Sequence, residues 1–144
     1  MKPLYKSDVV SSYWCQSDSL LYHKVHRIPI DDDELERLQN KLSEIYVHLN
    51  ANDIEFTQIY HPNDDVCFKL ENTSIITKFA YFLKSQDTVI DEYCKGVSVI
   101  HDNGYASSMI NYLITLLQNK IPVKIVKDES AAYEFLDLKK INDN

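Results

Sequence analysis

Apolar positions along the chain fall into two rhythms. Leu35, Leu38, Leu42, Ile45, Tyr46 and Leu49 recur every three or four residues and lay one stripe along a helix. Asp31 with Glu34 three residues on has the pattern of a capping box at its start, and the acidic groups suit the positive end of the helix dipole. Ahead of it, residues 11–15 and 20–28 alternate as strands do. Tyr22, Lys24, His26 and Ile28 fall on one face, and Leu21, His23, Val25 and Arg27 on the other. The short polar link Gln16-Ser17-Asp18 between them predicts an antiparallel hairpin.

The remaining elements alternate. Residues 54–60 read as a strand, followed by a turn at His61-Pro62-Asn63-Asp64-Asp65. Asn72 or Thr73 caps a second helix with Ile75, Ile76, Phe79, Ala80, Phe82 and Leu83 on its apolar face. Residues 97–100 are the next strand, and Asp102-Asn103-Gly104 turns into a helix over 105–119 carrying Met109, Ile110, Leu113, Ile114, Leu116 and Leu117. Residues 123–126 are a short strand, and Asp128 caps a final helix with Ala131, Ala132, Phe135 and Leu136. Strands alternating with helices predict an α/β fold: one mostly parallel or mixed sheet of four to five strands with helices packed on it and an antiparallel hairpin at the N-terminal side. With only Gly96 and Gly104 as glycines and no low-complexity linker, residues 9–138 read as a single domain. Residues 1–8 read as an N-terminal segment and 139–144 as a frayed tail.

Composition narrows the function. Of 144 residues, 22 acidic against 15 basic side chains leave a formal charge of −7, and the cations are scattered. That balance disfavours nucleic acid and an anionic lipid surface. The longest apolar run, residues 112–117, is far short of the roughly 20 residues of a spanning helix, so no membrane span is expected. The opening residues are polar where a secretory leader is apolar. Cys15, Cys67 and Cys94 are odd in number and widely spaced, which fits reduced thiols in the cytoplasm rather than a disulfide scaffold or a structural zinc site. No glycine-rich phosphate loop occurs, and no metal or cofactor is expected.

The element order and the last third of the chain resemble the STAS or SpoIIAA-like family. The residues that carry the resemblance are Val97-Ser98-Val99-Ile100-His101-Asp102, the helix that follows, and the finish Pro122-Val123-Lys124-Ile125-Val126 with Asp128, Ala131, Ala132, Phe135 and Leu136. The resemblance implies a STAS-like fold and a binding or regulatory module rather than a conventional enzyme. Family members used as anti-sigma-factor antagonists carry a phosphorylatable Ser at the start of the helix after the middle strand. Here Thr73 and Ser74 occupy that place, without the Asp-Ser-Ser-Gly setting.

Two sets of candidate residues follow. Ligands of open parallel sheets favour the carboxyl ends of strands. Those ends offer His61, Asp64, His101, Asp102 and Asp128, although capping alone also explains Asp at positions 102 and 128. Tyr13, Trp14 and Tyr22 concentrate at the hairpin and are a candidate interface, since such rings combine contact area with a polar handle. The leading expectation is a non-catalytic cytoplasmic module for a protein partner, with a homodimer through the hairpin edge as one form of it. A small-molecule or lipid carrier with an apolar pocket between sheet and helices is the alternative, and an enzyme with a His/Asp site at the strand ends is a third.

Overall fold

Six strands lie side by side in the order in which the chain makes them. The structure is a computed structural model and describes residues 1–66, 70–86, 92–101, 111 and 121–138. β1 (Lys2–Lys6), β2 (Val10–Cys15) and β3 (Leu20–Val25) form an antiparallel meander. β4 (Phe56–Pro62), β5 (Cys94–Ile100) and β6 (Val123–Val126) continue from β3 in parallel. The expected α/β class and hairpin are present, in a mixed sheet.

The expected count of four to five strands is too low. The sixth strand is β1, and its side chains are mostly exposed, so it has no buried alternation to read. Backbone pairing to β2 holds it in the sheet, with Tyr5 as its one side chain packed against the core. Ser7 builds the return between them, its Oγ accepting from the N–H groups of Val9 (3.2 Å) and Val10 (3.0 Å). β1 therefore covers the hairpin, and the sheet ends on Lys2, Pro3 and Lys6 instead. Lysines and a proline on an edge discourage strand addition by another chain.

α1 (Asp32–Ala51) connects β3 to β4, and α2 (Thr73–Ser85) follows a 3-10 turn over Leu70–Asn72 on the way to β5. Right-handed crossovers between adjacent parallel strands put their helices on one face, and α1 and α2 pack together there. α3 (Glu129–Phe135) comes after the last strand, where no crossover constrains it, and packs on the opposite face against β5 and β6. Gly96 makes room on that face, since a Cβ there would stand 3.0 Å from Leu136 Cδ2. The helix expected over 105–119 falls outside the described residues except for Asn111, as do Cys67, Asp102 and the tail 139–144. No described helix is long and apolar enough to cross a membrane.

The start of α1 keeps half of its capping box. Asp31 Oδ1 accepts from the Glu34 N–H at 2.9 Å. Glu34, however, takes the Ile30 N–H at 2.9 Å and both arms of the Arg27 guanidinium, at 2.7 and 2.6 Å. That fork holds the Glu34 carboxyl down at about 2 and ties the end of β3 to the first turn of α1. Leu35, Leu38, Leu42, Tyr46 and Leu49 are buried along α1, as the spacing predicts.

Candidate functional site

Strand alternation puts Ser12, His23, Gln58 and Tyr60 on the α1 side of the sheet. Ser12 lies opposite His23, and His23 opposite Tyr60; Gln58 stands opposite Leu21 one row away. Tyr46 reaches down to them from α1. Gln58 Oε1 accepts from Tyr46 OH (2.9 Å) and Tyr60 OH (3.2 Å), and lies 3.0 Å from His23 Nε2. His23 Nδ1 is 2.8 Å from Ser12 Oγ. The amide of Gln58 donates to Cys94 Sγ at 3.7 Å. His23, Ser12 and Tyr46 are 0 % exposed and Gln58 is 1 % exposed, so this is a buried polar node and not a surface cluster.

Burial sets its protonation. Desolvation pushes His23 down to about 4, against the smaller opposing pull of the Gln58 hydrogen bond. The neutral ring fits with Nε2–H donating to Gln58 and Nδ1 accepting from the Ser12 hydroxyl, a tautomer assigned from the partners. Burial also raises the phenols of Tyr46 and Tyr60. It pushes the Cys94 thiol up to about 11, which leaves little thiolate for nucleophilic chemistry near neutral pH.

Above this node lies a cavity of about 200 Å³ between the sheet and helices α1 and α2. Its floor is His23, Gln58 and Tyr60 with Val97 and Val99; α1 contributes Leu35, Leu38 and Leu42, and α2 contributes Ile75, Ile76, Phe79, Ala80 and Leu83. Arg27, Ile28, Pro29 and Pro62 line the end nearest the strand carboxyl termini. Arg27 brings no free charge, because Glu34 occupies its fork. The Tyr60 ring stacks on His23 (4.5 Å, 25°) and meets Phe79 edge-on (6.4 Å, 79°), which fixes its orientation.

The residues singled out from sequence lie elsewhere. His61 is on the opposite face, where its Nδ1 pairs with the Tyr22 hydroxyl. Its pKa is lowered first by desolvation and then by Lys24, with Glu129 and Asp64 opposing. Asp64 is exposed in the turn after β4. His101 follows β5, its N–H bonded to the Val126 carbonyl at 2.8 Å. Asp128 caps α3, its Oδ1 accepting from the Ala131 N–H at 2.8 Å; Asp102 lies outside the described residues. Among the described residues no three His, Cys, Asp or Glu side chains are grouped to hold a metal ion. Tyr13 and Tyr22 stand directly opposite each other on the α3 side, whereas Trp14 packs on the α1 side, so the three do not share one surface. Thr73 and Ser74 are exposed in the first turn of α2.

The node itself is not among the residues that the sequence pattern singles out as a site. The signal was there: His23 sits between Leu21 and Val25 on one strand face, Gln58 between Phe56 and Tyr60, and Tyr46 in the apolar stripe of α1. A polar residue on an apolar face asks for a buried partner.

The depressed His23 pKa sets a pH dependence of stability. An unfolded histidine titrates near 6.5, so between about 6.5 and 4 the unfolded chain binds the proton that the folded chain excludes. Stability is full above that window and falls as pH drops through it, by up to about 3 kcal/mol from this group. Denaturant unfolding at steps from neutral to acid pH measures the slope. A His23→Gln variant is expected to be less stable at neutral pH but to lose this part of the slope; an unchanged slope contradicts the assignment.

No protein-family model, curated protein or solved structure matches this chain.

Proposed function

We propose that the chain is a non-catalytic binding module that takes a small, mostly apolar molecule between its sheet and helices α1 and α2. The observation that carries this is the cavity itself: aliphatic walls around a floor where His23, Gln58 and Tyr60 supply the few polar groups. Concave, mostly apolar sites with a few convergent polar groups are the usual form of a small-molecule site. The size suits the reading, since dry cavities of about 150 Å³ hold benzene. Buried, unbridged Cys15 and Cys94 fit a reducing compartment, and the reading places the protein in the cytoplasm.

Ethylbenzene tests it. The hydrocarbon is expected to raise the thermal midpoint of the wild-type protein and to give saturable binding by calorimetry. Ala80→Phe puts a ring into the cavity wall and is expected to keep the fold, by circular dichroism, while losing the ligand. A wild-type midpoint unmoved by ethylbenzene up to its solubility limit contradicts the reading.

A second reading retains a regulatory protein-interaction module similar to STAS domains. What favours it is the half-exposed, directly opposed pair Tyr13 and Tyr22 on the α3 side. The lysines and proline of β1 disfavour joining at the sheet margin, so this reading puts contact between two copies on the tyrosine face. Sedimentation over a range of concentrations is expected to reveal a dimer that Tyr13→Ser dissociates; a monomer throughout removes self-association.

A further inference from the structure

We infer that the cavity takes an uncharged molecule whose apolar body carries one hydrogen-bond acceptor, received by the Tyr60 hydroxyl. The inference rests on the cavity reading above and specifies its ligand. A carboxamide oxygen has two lone pairs, yet three donors converge on Gln58 Oε1. Tyr46 OH at 2.9 Å and His23 Nε2 at 3.0 Å are the closer two, and Tyr60 OH at 3.2 Å is the third. Turning the Tyr60 O–H toward a ligand therefore leaves Gln58 fully paired.

The other donors are placed differently. His23 is held at both ring nitrogens, Gln58 Nε2 is given to Cys94, and the hydroxyl of Tyr46, 3.4 Å from that of Tyr60, belongs to a fully buried residue outside the described cavity lining. Tyr60 is also the least buried of these groups: Ser12, His23, Gln58, Tyr46 and Cys94 are all buried, whereas Tyr60 is half-buried and lines the cavity. Its ring is held between His23 and Phe79, so little rotational freedom is lost when its hydroxyl donates to a ligand.

Among the described lining residues no charge is free to receive a charged ligand. The guanidinium of Arg27 is occupied on both arms by Glu34, so a carboxylate ligand has to displace that fork. His23 is buried and hydrogen-bonded as a neutral ring. A buried charge without a partner is costly. A ketone, ester or ether oxygen on a hydrocarbon frame matches the one donor that the described lining residues leave available.

Acetophenone, ethylbenzene and benzoate share a ring and a short substituent and differ in its polarity. Binding of each to wild type and to Tyr60→Phe, measured by calorimetry or ligand-observed NMR, decides the matter. Tyr60→Phe is expected to weaken acetophenone about three- to tenfold, the worth of one neutral hydrogen bond, and to leave ethylbenzene within about twofold. In wild type, benzoate is expected to bind at least about tenfold more weakly than acetophenone. If Tyr60→Phe changes both neutral ligands alike, or neither, the acceptor role is overturned and the cavity reading stands. Benzoate binding as tightly as acetophenone overturns the exclusion of charge. If neither neutral ligand binds wild type, the cavity reading falls and this inference with it. A second readout needs no variant: the carbonyl stretch of bound acetophenone is expected below its value in hydrocarbon solvent, and an unshifted band overturns the hydrogen bond.

Discussion

The side-chain oxygen of Gln58 is where β3, β4 and α1 meet. Each polar group brought there from water is stable only because the others receive it. His23 arrives from the neighbouring strand, Tyr60 from two residues on, and Tyr46 from the helix above. A slip of one residue in either strand would turn His23 or Gln58 to the opposite face and leave the rest of the node unpaired. The node therefore specifies register in the centre of the sheet and the seating of α1 upon it. Apolar burial supplies the larger share of the driving force there, but it does not distinguish registers that bury similar area.

The cavity is a consequence of the same arrangement. Strands that follow one another in space as in sequence send α1 and α2 to one face, leaving the opposite face to α3. Tyr46 draws α1 onto the sheet near Gln58, while Arg27 and Glu34 clasp its first turn to the end of β3. The space between α1, α2 and the strands keeps aliphatic walls, because the polar groups beneath it are largely committed to one another. Arg27, the one guanidinium among the described lining residues, is committed as well. A cavity with these properties would discriminate by shape and by one hydrogen bond rather than by charge.

Much of the architecture was legible because burial imprints a period on sequence. The stripe from Leu35 to Leu49 and the alternation through Leu21, His23 and Val25 report a side facing the core, and the caps at Asp31 and Asp128 mark where helices start. β1 was not legible, because an exposed edge strand held by backbone bonds leaves no such imprint. Glu34 shows a different limit: the capping spacing is present, but Arg27, seven residues earlier, captures the carboxylate once β3 and α1 come together. Charge at turns is conspicuous in a sequence, which is why the strand-end residues stand out there. His61 pairs instead with Tyr22 from the neighbouring strand, and Asp128 is taken up by a cap. The node was harder to see because it consists of ordinary residues from β2, β3, β4 and α1 that only the register unites.

The most direct measurement is a double-mutant cycle between Tyr46→Phe and Gln58→Leu, read by denaturant unfolding. If the hydroxyl of Tyr46 and the carboxamide of Gln58 hold α1 to the sheet as one unit, the two losses fall short of additivity by about 1–3 kcal/mol. Losses that add to within about 0.5 kcal/mol would show that helix and strand are seated independently of the node, and the account would be wrong at its centre.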